Sequence, residues 1–65
     1  MTKQVFEQAY NVVTSDLNWE EGWNGLYMFA NVGPYTVYRD GAWGYYVTGK
    51  DGSRINRLFD LGRFL

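Results

Sequence analysis

The N-terminal stretch KQVFEQAYNVV, which begins at Lys3, repeats apolar and polar residues with the period of a helix. Thr2 stands at a suitable N-cap position, and TSD at residues 14–16 follows the pattern. We therefore predict one amphipathic helix of about three turns near residues 3–14. Its apolar stripe, which we expect to face a core, consists of Val5, Phe6, Ala9, Tyr10, Val12 and Val13.

A β pattern follows the helix. LYMFANV, residues 26–32, is apolar on both of its alternating sides, which is typical of a strand covered on both faces. Gly33 and Pro34 then turn the chain, and two further β-rich runs follow at 35–39 and 42–48. These patterns predict an α+β domain in which one N-terminal helix packs on a three- to four-stranded antiparallel sheet.

The dipeptide Asp40-Gly41 lies between two β-rich runs and predicts a hairpin with a two-residue turn. In that register Tyr38 faces Trp43, and alternation sorts the side chains onto two faces. One face carries Thr36, Tyr38, Trp43, Tyr45 and Val47; the other carries Tyr35, Val37, Arg39, Ala42, Gly44 and Tyr46. Because the second set is smaller and leaves room for a helix, we expect the first set to face outward, with the reverse assignment left open.

A single short helix cannot cover both faces of such a sheet. A helix of this length measures about 18 Å by about 10 Å, which is enough for one face of three strands. Both faces carry aromatic rings, so some rings are predicted to lie outside the core in either assignment. A monomeric protein rarely keeps an exposed aromatic patch that has no use.

The C-terminal segment RINRLFDLGRFL is ambiguous because both strand alternation and helical spacing fit its apolar residues. It contains the basic cluster of the chain, formed by Arg54, Arg57 and Arg63. We predict a strand near residues 53–59 that ends in a loosely packed tail, with a helix as the alternative.

The segment NWEEGWNG contains a weak capping-box pattern, with Asn18 followed three residues later by Glu21. One helical turn there would place Trp19 and Trp23 on the same side. Either both tryptophans cover the end of the sheet, or Trp19, Glu20 and Trp23 form an acidic, tryptophan-bearing surface that docks on a basic partner. The second interpretation makes these three residues a second candidate binding surface.

The chain has 65 residues, which limits it to one small domain, residues 1–65. It contains no cysteine and no histidine, so disulfides and zinc sites built from those residues are excluded. Aromatic residues make up 20% of the chain and are the main source of apolar surface for the core.

Formal net charge is −1, so no overall field attracts the chain to nucleic acid or to an anionic membrane. No apolar run approaches the length of a membrane span, and MTKQVFEQ lacks the apolar stretch of a signal peptide. We therefore expect a cytoplasmic protein with no membrane partner.

Catalysis finds little support in the sequence. Ser15 and Ser53 have no recognisable activating partner, and the adjacent Glu20 and Glu21 diverge on any regular backbone. The glycines match no phosphate-binding pattern. We predict that the chain is not an enzyme and has no catalytic residue, metal site or cofactor.

The expected function is binding of another protein through the aromatic face of the sheet. The predicted contact residues are Tyr38, Trp43 and Tyr45, with Arg39 and Arg57 at the rim, because Tyr, Trp and Arg dominate interface hot spots. One alternative is a single-stranded nucleic-acid-binding domain, in which the rings stack on bases and Arg or Lys contacts phosphates. Another is a homo-oligomer, with a homodimer as its simplest form.

In its size and its lack of cysteine the chain is similar to small bacteriophage-encoded accessory proteins. That similarity implies an inhibitor or modulator that occupies a surface of a host protein.

Overall fold

Helix α1 spans Lys3–Tyr10 in the computed structural model, which describes all 65 residues. The Thr2 hydroxyl caps it by accepting a hydrogen bond from the Val5 amide at 3.3 Å. The helix ends at Asn11, whose φ of 50° is left-handed and whose amide donates to the Glu7 carbonyl. Because a left-handed residue cannot continue a right-handed helix, the predicted helix was too long by about one turn.

The segment after α1 folds back against it through one carboxylate. Glu7 accepts hydrogen bonds from both the backbone amide of Thr14 at 2.7 Å and its hydroxyl at 2.9 Å. The amide bond, followed by the hydroxyl bond, lowers the pKa of Glu7 from its ordinary value of 4.5. This contact brings Val12 and Leu17 into the core although neither belongs to α1.

Four strands form one antiparallel sheet, and their order in the sheet is their order in the chain. They are β1 (Glu20–Glu21), β2 (Tyr27–Val32), β3 (Tyr35–Asp40) and β4 (Gly44–Thr48). The predicted α+β arrangement, one N-terminal helix on an antiparallel sheet, is confirmed. The fourth strand comes from the acidic pair of β1, which the sequence patterns placed in a helical turn.

The strand predicted near residues 53–59 was wrong. Pairing with β4 is limited to one bridge between Thr48 and Arg54 and to a hydrogen bond from the Ile55 amide to the Val47 carbonyl at 2.9 Å. The chain then leaves the edge of the sheet, and Phe59 packs its ring against the core and against Tyr10 of α1. Burial of this ring removes apolar surface from water, which favours this path over further strand pairing.

The predicted loose tail is also replaced by ordered structure. A short 3-10 helix covers Leu61–Phe64, and Leu61 is 0% exposed. The Asn11 side-chain amide donates to a carboxylate oxygen of Asp60 at 3.0 Å, which fixes the segment beside the end of α1. The C-terminal segment therefore contributes Leu61 to the core and packs Phe59 against it.

The hairpin between β3 and β4 has a longer loop than predicted. Asp40 pairs with Gly44, which leaves the three residues 41–43 in the loop. One carboxylate oxygen of Asp40 accepts hydrogen bonds from the amides of Ala42 at 2.7 Å and Trp43 at 2.9 Å, and Gly44 has a left-handed φ of 75°. An acidic residue that closes the turn and a left-handed glycine are typical of three-residue loops.

This loop changes the register and therefore the faces of β4. Tyr38 lies opposite Tyr46, three residues beyond the predicted Trp43. A shift by an odd number of residues moves every side chain of a strand to the other face. Tyr45 accordingly lies on the side of α1 and Tyr46 on the far side, the reverse of the prediction.

The core lies between α1 and one face of the sheet. Its centre is formed by the cross-strand neighbours Ala30, Val37 and Val47, all buried, with Phe6 of α1 packed on this side. The complete buried apolar set is Phe6, Tyr10, Val12, Leu17, Ala30, Val32, Val37, Val47 and Leu61. We call the opposite face, which α1 does not contact, the outer face.

Candidate functional site

The outer face is built from three rings at directly paired positions. Phe29 of β2 lies opposite Tyr38 of β3, and Tyr38 lies opposite Tyr46 of β4. The ring centroids are 6.4 Å apart in the first pair and 5.1 Å in the second, whose planes are only 17° apart. All three side chains are half-buried. Each ring is thus covered on its sides by its neighbours and remains open to solvent above.

Tyr27 extends this aromatic surface at the end of β2. Its ring centroid lies 5.7 Å from that of Tyr38 and 6.2 Å from that of Phe29. The ring rests over Gly22, where a Cβ atom would collide with it. Glycine at this position therefore allows the ring to lie close to the backbone.

Arg54 provides the cationic group of the outer face. Its guanidinium carbon lies 4.1 Å from the centroid of the Tyr46 ring and 5.3 Å from that of Trp43. Cations are attracted to the faces of aromatic rings at such distances. Trp43, at the tip of the hairpin, is 65% exposed. Arg54 thereby connects the tryptophan to the sheet aromatics.

A shallow depression of about 360 Å³ opens between these groups. It is lined by Tyr27, Tyr38, Tyr46, Thr48, Gly52 and Arg54. Desolvation, followed by the nearby Asp40 carboxylate, raises the pKa of Tyr46 above its ordinary value of 10.0. The Tyr46 hydroxyl therefore keeps its proton at neutral pH. The depression offers ring faces and hydrogen-bond donors, which suit an apolar side chain beside a carbonyl or carboxylate oxygen.

The two edges of the outer face carry opposite charges. Glu20 of β1 lies opposite Phe29, and Arg54 lies beyond Tyr46 at the other edge. Five residues lie side by side across the sheet, and we call them together the aromatic row: Glu20, Phe29, Tyr38, Tyr46 and Arg54.

No three carboxylates converge anywhere in the chain as a ligand set for a metal ion.

Two of the five predicted contact residues lie at this surface. Tyr38 is at its centre, and Trp43 is at its rim, where its ring contacts the guanidinium of Arg54. Tyr45 instead packs on the core side, where its ring centroid lies 5.7 Å from that of Phe6. The altered register explains its place, because a two-residue turn would have kept Tyr45 on the side of Tyr38.

The predicted rim arginines lie away from the outer face. Arg39 pairs with Tyr45 in the sheet and so belongs to the core-side face, where it is exposed at the periphery. The guanidinium of Arg57 lies 5.2 Å from the ring of Phe59, also on the core side. Arg54, not either of these, brings positive charge to the aromatic surface.

The three residues of the second candidate surface, Trp19, Glu20 and Trp23, do not lie together on one helical turn as predicted. Glu20 forms part of β1, so the predicted helical turn with its capping box is absent. The Trp19 indole N–H donates to the Thr14 carbonyl at 2.8 Å, and its ring packs against the core. Trp23, in contrast, is 70% exposed. One tryptophan therefore covers the core and the other remains available.

Sequence reasoning missed Tyr46, Arg54, Tyr27 and Phe29 as members of the site. A signal for the first of these was present in RDGAWGY, where Asp40 is followed by Gly41 and by a second glycine, Gly44. A glycine at that spacing fits the left-handed position that directly follows a three-residue loop. That loop alone would have assigned Tyr46 to the face of Tyr38.

Comparison of the chain with protein-family models, with curated proteins and with solved structures finds no match. None of the helices combines the length and the apolar character that a membrane crossing requires.

Proposed function

We propose that the chain is a small, non-enzymatic protein-binding module that contacts another protein through its outer face. The observation that carries this proposal is the half-exposed set of Phe29, Tyr38 and Tyr46, which α1 leaves uncovered. Burial of these rings against a partner would remove apolar surface from water at about 25 cal/mol per Å². Tyrosine, tryptophan and arginine, the residue types at this face, also dominate interface hot spots.

Binding through the face is favoured over addition of a strand at an edge. At the edge of the sheet formed by β4, the Tyr45 amide donates to the Met1 carbonyl at 2.8 Å, and the Val47 carbonyl accepts a hydrogen bond from the Ile55 amide. At the other edge β1 has only two residues. Edges that are occupied or very short offer few free backbone groups to an added strand.

The carboxylates support a binding role over a catalytic one. Glu20 and Glu21 are adjacent in β1 and point to opposite sides of the sheet. Asp40, the carboxylate near the depression, is held by two amides of the hairpin loop. Neither arrangement provides the facing acid and base that hydrolytic chemistry uses.

Under this proposal the module modulates its partner by occupying a surface. An inhibitor of a host protein, of the kind that small bacteriophage proteins provide, is the specific form that we propose. It would act in the cytoplasm.

A capture experiment tests the proposal. Tagged native chain and the double variant Tyr38→Ala plus Tyr46→Ala are used to recover proteins from a bacterial lysate, with folding checked by circular dichroism. We expect the folded double variant to lose a partner that the native chain recovers. Leu58→Ala, which removes an exposed apolar side chain that does not line the outer-face depression, is the matched control and should retain that partner.

A Trp23→Ala variant tests the second candidate surface in the same experiment. Equal recovery of the partner by the native chain and the double variant, with loss in Trp23→Ala, would refute the outer face as the site and move it to Trp23.

A second candidate function is binding of single-stranded nucleic acid. The arginine stacked on Tyr46 beside open rings favours it, because bases stack on such platforms. Glu20 and Asp40 close to the same rings oppose it, since they repel phosphates. Fluorescence anisotropy with labelled oligothymidine and oligouridine at low and moderate salt separates the two functions. Submicromolar binding that weakens steeply with salt would favour nucleic acid.

A further inference from the structure

The aromatic row is charged oppositely at its two ends. Direct cross-strand pairing places Glu20 beside Phe29, Phe29 beside Tyr38, and Tyr38 beside Tyr46. The guanidinium of Arg54 then covers Tyr46. With strands about 4.8 Å apart, the five positions extend over about 19 Å, from a carboxylate through three rings to a cation.

Such a row is complementary to itself. A two-fold axis that runs parallel to the strands, between the two faces and directly above Tyr38, reverses the order of the row in the second copy. Glu20 of one copy then meets Arg54 of the other, Phe29 meets Tyr46, and Tyr38 meets its own counterpart on the axis. We propose that the outer face binds a second copy of this chain in this isologous arrangement. Two twisted sheets can pack face to face in this way with their strands nearly aligned.

Asp40 is the other carboxylate of the outer face, and it lies on the central strand near the axis. One of its oxygens accepts hydrogen bonds from the amides of Ala42 and Trp43. These bonds hold the carboxylate beside the hairpin loop, although it remains close enough to Tyr46 to raise the pKa of that hydroxyl. The charges at the two ends of the row, which face one another across the interface, are those of Glu20 and Arg54.

The size of the face limits the strength of the dimer. The six-residue strands β2 and β3 are about 20 Å long and β1 has only two residues, so the face measures at most about 400 Å² on each copy and about 800 Å² on the two together. This is below the range of stable interfaces and typical of weak, reversible ones. We expect a dissociation constant on the order of tens to hundreds of micromolar.

A weak dimer provides a simple form of regulation for the same site. The second copy covers the rings at high concentration and leaves them free for another protein at low concentration. This consequence rests on the proposed function, whereas the dimer itself is a property of the pure chain. Dimer formation and partner capture are measured separately, so either can fail without the other.

Sedimentation of the pure chain between about 10 μM and about 500 μM tests the dimer, because this range brackets a weak interface. The native chain should show a reversible monomer–dimer equilibrium that weakens with salt. Arg54→Glu and Glu20→Arg should each raise the dissociation constant at least about tenfold, because the symmetry places every changed pair in the interface twice.

Charge exchange gives the decisive result. The double variant Glu20→Arg plus Arg54→Glu should dimerise again, because both ion pairs are restored with their signs reversed. An equimolar mixture of the two single variants should also form a heterodimer, in which every facing pair has opposite charges. Rescue of this kind excludes misfolding of the single variants as the cause of their loss.

Three results would overturn the proposal. The native chain could remain monomeric up to about 500 μM, beyond the range of a weak interface. The native chain could dimerise while Arg54→Glu and Glu20→Arg dimerise with the same dissociation constant. The single variants could lose the dimer while neither the double variant nor the mixture restores it. Binding of oligothymidine by the native chain, with no self-association, would assign the row to nucleic acid instead.

Discussion

Tyr38 and Tyr46 lie directly opposite each other on β3 and β4, and their rings stack with centroids 5.1 Å apart. This contact exists because the hairpin loop has three residues, closed by Asp40 and Gly44. Cross-strand aromatic pairs contribute about 0.2–1 kcal/mol to a sheet. The pair is therefore a modest stabiliser of the fold, and its larger consequence is a continuous aromatic surface that the helix does not cover.

Adjacent tyrosines of β4 should respond differently to substitution. Tyr45→Ala should lower the free energy of unfolding by about 2–3 kcal/mol, because the ring packs on Phe6 and Trp19 in the core. Tyr46→Ala should cost about 1 kcal/mol, because its ring is on the outer face. Urea denaturation measures both. A larger loss in Tyr46→Ala than in Tyr45→Ala would contradict the register described above.

Gly22→Ala should destabilise the chain by about 1–3 kcal/mol, because the new methyl group must displace the ring of Tyr27. Gly41→Ala is the matched control. Its added methyl group meets no atom and its φ is not left-handed, so the change should stay within about 1 kcal/mol. Thermal unfolding followed by circular dichroism compares them. Equal melting temperatures for the two variants would argue against the packing of Tyr27 on Gly22.

Leu61→Ala should lower the free energy of unfolding by about 2–5 kcal/mol, because the side chain is completely buried and its loss leaves a cavity. Leu58→Ala, three residues earlier, removes a leucine that is 67% exposed and should change stability by less than about 0.5 kcal/mol. Chemical denaturation distinguishes the two. If both variants were as stable as the native chain, the C-terminal segment would be the loose tail that its sequence suggested.

The contact between Glu7 and Thr14 should make stability depend on acid pH. The folded-state pKa of Glu7 lies below its ordinary value of 4.5 because it accepts two hydrogen bonds from Thr14. A lowered folded-state pKa stabilises the fold fully above the ordinary value, and this contribution disappears as pH falls through the lowered pKa.

Melting temperatures of the native chain and of Glu7→Gln between about pH 2 and about pH 7 check this dependence, since the range extends well below and well above the ordinary pKa of 4.5. Glu7→Gln should melt at a lower temperature than the native chain near pH 7, and the difference should shrink toward the acid end. A difference that stays constant across this range would show that the Glu7 charge does not contribute.

Four predicted elements were correct because they depend on local chemistry. The Thr2 cap and the spacing of Phe6 and Tyr10 define a helix, and the strand-forming runs around Phe29, Tyr38 and Tyr46 define three strands. The helix end at Asn11 was missed, because asparagine adopts a left-handed conformation only where the chain around it needs a turn. For the candidate site, the sequence indicated an uncovered aromatic face with Tyr38 and Trp43 but misassigned its other members.

The pattern of residue types was sufficient to establish the fold class, the start of the helix and the excess of rings that one helix cannot cover. These follow from side-chain period, helix size and residue type, which are local properties. The three-dimensional arrangement was needed to establish which rings are exposed, because one additional loop residue moves every side chain of β4 to the opposite face. Asp40-Gly41 favours the shorter loop and Gly44 the longer one, so local preferences point in both directions. The three-dimensional arrangement also decided that Arg54 and not Arg39 or Arg57 joins the rings, since that contact depends on where a non-local segment crosses the edge of the sheet.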